Sequence, residues 1–160
     1  MSIKNNTSHK NNLIFQGLFV VILGISIITR FYGILWDEGF TYSPHPDERA
    51  ILMKVSDLDF PSLDNITTLL SSETSSWNPR WFAYGSFPMY LLDIIYSFNN
   101  KMGNNSLDIR FIARSISAIA DIGTIIGIFF IGKLIFNKST ALLATFLISI
   151  SPIHIQLSHF

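Results

Sequence analysis

Residues 13–28 read LIFQGLFVVILGISII, sixteen positions without a single charge. Extended to Trp36, the stretch meets the roughly 20 mostly apolar residues that a membrane-crossing helix needs. Arg30 falls near its far end, where a long side chain can snorkel to lipid headgroups. Phe31, Tyr32 and Trp36 follow as interfacial anchors. A secretory signal would carry a shorter apolar core ending at an A-x-A-like site, and none is present here. Leu13–Trp36 is therefore read as a first transmembrane span.

The composition agrees. Of 160 residues 49% are hydrophobic and only 14% charged, against roughly 25% charged in average soluble domains. Mean hydropathy is +0.39. Eleven Lys+Arg balance eleven Asp+Glu, so no net field recruits nucleic acid. Cysteine is absent, which excludes disulfide scaffolds, zinc ribbons and thiol catalysis. The apolar content is too high for a disordered chain.

Two further spans are expected, at 107–136 and 140–157. Pro152 near the end of the latter suits a helix that loosens at the membrane surface. Residues 82–98, FAYGSFPMYLLDIIYSF, are interrupted by Pro88. The run after it is about half the length needed to cross. It is read as an interfacial helix over 87–98, with a fourth span as the alternative. The fold class is thus all-α and integral to the membrane. A cytoplasmic N-terminus (1–12) precedes the first span (13–36), and the 37–106 loop is external. Lys4 and Lys10 before the first span, with Lys133 and Lys138 between the last two, set that orientation by the positive-inside rule. Arg110 and Arg114 are exceptions to it.

The 37–106 loop holds most of the acids: Asp37, Glu38, Asp47, Glu48, Asp57, Asp59, Asp64, Glu73 and Asp93. ERAILMKVSDL (48–58) reads as a helix after Pro44-His45-Pro46. Asp47 is then either a helix cap, accepting backbone N–H bonds at the positive end of the dipole, or a catalytic carboxylate just above the membrane. The stretch LDNITTLLSSETSSWNPR (63–80) carries few structural demands. Asn-x-Ser/Thr triplets at Asn6, Asn65, Asn104 and Asn137 carry no weight as modification sites. Asp121, half-way along the second span, must face protein or water; Arg114, seven residues earlier, is its nearest partner along the helix. His154 and His159 are five apart, which does not place two ligands on one helix face, so no metal is expected.

Four stretches, in this order, carry a family likeness: TRFYGILWDEGFTYSPHPDERAI (29–51), NPRWFAYGSFPMYLL (78–92), RFIARSISAIADIGTIIGIFFIGKLIF (110–136) and SPIHIQLSHF (151–160). From about residue 13 onward the chain resembles the N-terminal part of the membrane glycosyltransferases of the GT-C fold. Within these it is similar to the protein mannosyltransferase and aminoarabinose transferase group, which uses lipid-phosphate-linked sugars. There an acidic residue early in the first external loop is the catalytic carboxylate, and an Arg-x-x-Ser-Ala-type segment leads into the next span. Arg114 to Ala118 occupies that place. The resemblance implies Asp47 as the base, with Glu48 beside it and Asp37-Glu38 as the runner-up pair. It implies His45, Arg49, Arg80, Tyr84, Arg110 and Arg114 as substrate contacts, the arginines as candidates to stabilise a departing lipid phosphate. No cofactor is implied. The implied partners are a lipid-linked sugar donor and membrane lipid. Relatives of this kind carry many more spans. The expectation is therefore an N-terminal portion of such an enzyme, inactive alone, partnered by the missing C-terminal helices of a split or longer protein. The rival expectation is a small non-catalytic membrane protein with a structural or partner-binding loop.

Overall fold

A computed structural model describes residues 2–58, 71–103 and 107–160, and its described residues are helical with connecting turns. In chain order the helices are α1 (Ser2–Phe31), α2 (Pro46–Ser56), α3 (Phe87–Met102), α4 (Ile109–Ile135), α5 (Lys138–Ser149) and α6 (Pro152–Leu157). Asp59, Asp64 and the triplets at Asn65 and Asn104 lie outside the described residues. The chain divides into two compact units. One joins residues 1–34 to 114–160, and the other is 35–113.

Among the described residues two helices are long and apolar enough to cross a membrane. They are Asn12–Phe31, 20 residues within α1, and the 27-residue α4. At 1.5 Å per residue these reach about 30 Å and about 40 Å. The first apolar run was expected to stay helical to Trp36. It ends at Phe31 instead, because Gly33 adopts φ +71 and the chain leaves in turns. A left-handed residue just past the last helical turn is open to glycine at little steric cost.

The expected third span over 140–157 is not one helix. α5 stops at Ser149, and α6 restarts at Pro152. Proline has no N–H to return to the carbonyl four residues back, here that of Ile148, and its ring crowds that turn. At 12 residues α5 reaches about 18 Å, short of the hydrocarbon thickness. Asn137 caps its start, accepting from the Thr140 N–H at 2.9 Å.

In the first unit α5 packs against α1. Each buries a stripe at four-residue spacing: Ile22, Ser26 and Arg30 on α1, Ala141, Thr145 and Ser149 on α5. Small and hydroxylated residues at that spacing allow helix backbones to approach closely. The hydroxyls bond within their own helices, Ser26 to the Ile22 carbonyl at 2.8 Å and Thr145 to that of Ala141 at 2.6 Å. α4 runs antiparallel to α1, with Phe19 stacked on Phe129 at one level and Arg114 bonded to the Ile34 carbonyl at the other. A Cβ on Gly132 would lie 3.1 Å from the Ala141 backbone, so glycine sets the approach of α4 and α5 there.

Arg30 was expected to snorkel, but it is completely buried. Its Nε donates to Asp121 at 2.9 Å. Its Nη atoms donate to the carbonyls of Ser149 and, at 3.2 Å, Ile148. These are the acceptors at the α5/α6 break, and one of them is the carbonyl that Pro152 leaves without its usual donor. The partner expected for Asp121 was Arg114. Two groups from other helices hold it instead: Arg30, and the His154 Nδ1 at 2.8 Å. His159 closes the cluster, its Nε2 donating to the Arg30 carbonyl at 2.9 Å. A buried guanidinium is tolerable only with its donors matched in this way.

Candidate active site

The 35–113 unit is built on the packing of α2 against α3. Pro46 opens α2 at its first turn, where a missing N–H costs nothing. The cap is His45 rather than Asp47: the Glu48 N–H donates to the His45 Nδ1 at 3.4 Å. The His45 backbone takes the extended conformation a cap requires, while Asp47 already sits inside the first turn. There it meets the positive end of the helix dipole.

The two neighbouring carboxylates separate by environment. Glu48 is buried and accepts from the Ser43 hydroxyl. Asp47 is exposed. The Tyr84 hydroxyl donates to it, and that hydrogen bond to an anion holds the Tyr84 phenol above its ordinary 10.0. Tyr84 itself is about half exposed, on a turn in which Gly85, at φ +75, returns its N–H to the Phe82 carbonyl at 3.2 Å. Arg49, in the next position on α2, bonds the Ser43 carbonyl at 3.1 Å and lies 4.8 Å above the Tyr42 ring. His45, Asp47, Glu48 and Arg49 are thus ordered by the first turn of one helix, and Tyr84 is brought in from a segment 37 positions later in the chain (84 against 47).

The remaining cations are engaged elsewhere. Arg80 has φ 51 and donates to the Glu73 carbonyl at 2.6 Å, closing its own loop. Arg110 bonds Asp108 at 2.7 Å and Asp37 at 3.4 Å. The Arg110 hydrogen bond holds Asp108 below the usual carboxylate range. Asp37 is fully buried under that guanidinium. Arg114 is fully buried in the other unit, where it donates to the Ile34 carbonyl at 2.8 Å.

The described part of the Ser-rich stretch, 71–80, expected to carry few structural demands, is organised. The Trp77 indole donates to Asp93 at 2.9 Å and its ring lies 4.5 Å from that of Tyr90. Asp93 is buried and also accepts from Ser97 at 3.4 Å. Beside this cluster is a cavity of about 380 Å³ lined by aromatic rings (Trp77, Phe82, Tyr90) and by Ser71, Ser75 and Asn78. Sequence reasoning missed it, although a tryptophan among serines with an acid on the following helix was its one visible sign. Rings beside hydroxyls and an amide suit a ligand with apolar faces and hydroxyl edges. Among the described residues no group of three or more His, Asp or Glu is placed to hold a metal. Comparison with protein-family models, with curated proteins and with solved structures finds nothing that matches this chain.

Proposed function

We propose that the chain is the N-terminal portion of a multi-pass membrane glycosyltransferase that moves a sugar from a polyprenyl-phosphate-linked donor to an acceptor hydroxyl on the extracytoplasmic side. The observation that carries the reading is the exposed Asp47 carboxylate at the first turn of α2, with the Tyr84 hydroxyl as its donor. Of the two aspartates that head the acidic pairs weighed from the sequence, Asp47 is exposed whereas Asp37 is buried against Arg110. Asp47 accepts the acceptor's proton as the hydroxyl oxygen bonds the anomeric carbon and the lipid phosphate leaves. Arg49, one position on, is the cation nearest in sequence to answer the phosphate's charge. The aromatic cavity beside Trp77 supports a hydroxylated ligand. Lys4, Lys10, Lys133 and Lys138 support an N-terminus in the cytoplasm of a plasma-membrane protein, with 37–106 outside.

The test is sugar transfer from a polyprenyl-phosphate donor in membranes containing the full-length protein. Asp47→Asn keeps shape and loses basicity. It should lower turnover by about 10²–10⁴-fold at unchanged expression. Asp37→Asn should instead reduce the amount of folded protein. Near-normal turnover by Asp47→Asn moves the base elsewhere. Absence of transfer with every donor favours the non-catalytic membrane protein.

A further inference from the structure

At the end of the first unit that carries Asn12 of α1 and the C-terminus of α4, the helices leave a cleft of about 600 Å³. Its walls are phenylalanines. Phe19 and Phe129 stack at 4.0 Å, Phe130 stands edge-on to Phe129 at 5.6 Å, and Phe15 extends the same surface. Lys133 and Lys138 line it with them, both exposed. Lys138 is oriented by a bond to the Asn12 side chain across the cleft. Among the described residues lining it there is no acid. The surface therefore has an aromatic slot within the first two turns of the apolar run and two ammonium groups where that run ends.

We propose that this cleft binds an anionic membrane phospholipid, with the phosphate between Lys133 and Lys138 and the upper acyl chain along the phenylalanine wall. Charge complementarity selects this occupant. A zwitterionic headgroup brings its own cation to the lysines, and an apolar helix leaves both ammonium groups without an anion. Two lysines flanking a cleft between membrane helices form the kind of basic pocket that takes acidic headgroups. The proposal is independent of the catalytic reading, since none of its residues belongs to the 35–113 unit.

The test uses the full chain, purified and delipidated in neutral detergent. Phosphatidylglycerol and phosphatidylcholine with identical acyl chains are titrated in, and the bound lipid is counted by native mass spectrometry. Phosphatidylglycerol should be preferred by about 25-fold when both lysines engage, and Lys133→Gln and Lys138→Gln should each remove roughly fivefold of that preference. Phe130→Ser, on the exposed part of the wall, should weaken both lipids alike. Equal binding of the two lipids, or a preference unchanged in the Lys133→Gln Lys138→Gln double variant, overturns the proposal. So does displacement of phosphatidylglycerol by stoichiometric polyprenyl phosphate, which would assign the cleft to a different lipid.

Discussion

Two adjacent carboxylates, Asp47 and Glu48, show how little of a residue's chemistry resides in its type. Glu48 is turned inward onto Ser43, while Asp47 is exposed and receives the Tyr84 hydroxyl. That pairing has a measurable consequence, because the neutral phenol is the form that donates to the carboxylate. Tyr84 should ionise above its ordinary 10.0, and Asp47→Asn should bring its midpoint back down toward that value. NMR titration of the tyrosine ring carbons reads this directly. Asp108 shows the opposite shift. Its folded-state pKa lies below 3.8 because Arg110 stabilises the anion, so the native state binds fewer protons than the unfolded one. The pair's contribution is present above about pH 4 and is lost as pH falls through the depressed value. Asp108→Asn should therefore remove part of the acid-induced loss of helicity below pH 4, followed by circular dichroism. The effect is modest, since Asp108 is more than a third exposed.

At the scale of elements, the break between α5 and α6 matters most. Pro152 makes the interruption, and Arg30 makes it tolerable by supplying donors to the Ile148 and Ser149 carbonyls. Arg30→Leu leaves those carbonyls without that donor and Asp121 without its guanidinium. Removing one partner of a buried pair costs about 3–5 kcal/mol. Thermal unfolding in detergent should show a loss of that order. The Arg30→Leu Asp121→Leu double variant should recover part of it, because the uncompensated carboxylate is gone while the Ser149 carbonyl still lacks its guanidinium donor. The break itself was half legible: Pro152 and the apolar length could be read, but a helix loosening at the surface and a helix cut in two look alike in sequence. Which one forms depends on whether a donor from elsewhere reaches the freed acceptors. That donor sits 118 positions from Ile148.

For the whole molecule, charge distribution sets the expectation of topology. By the positive-inside rule, the proposed orientation puts Lys4, Lys10, Lys133 and Lys138 in the cytoplasm and the acid-rich 37–106 segment outside. Ser72→Cys and Ser139→Cys place single thiols at exposed positions that this orientation assigns to opposite sides. An impermeant thiol reagent applied to intact cells should label Cys at 72 and spare Cys at 139, and the reverse pattern would invert the orientation. The proposed lipid cleft agrees with this arrangement, since its lysines are two of the same four.

The sequence alone determined what depends on near neighbours in the chain. The two helices long enough to cross a membrane follow from apolar length, α2 from Pro46 and the pattern after it, and α3 from the run after Pro88. Local sterics and water-to-lipid transfer act within a few residues, so their outcome is written in the order of residues. Only the tertiary structure decided which charges meet. Asp121 is held by Arg30, 91 positions away, and by His154, 33 positions away, not by the arginine on its own helix. Asp37 is buried against Arg110, 73 positions on. A buried charge is stabilised by whatever lies within about 3 Å of it, and that distance is set by packing rather than by order along the chain. The same packing sets which carboxylate of each acidic pair is exposed, Asp47 rather than Glu48 and Glu38 rather than Asp37.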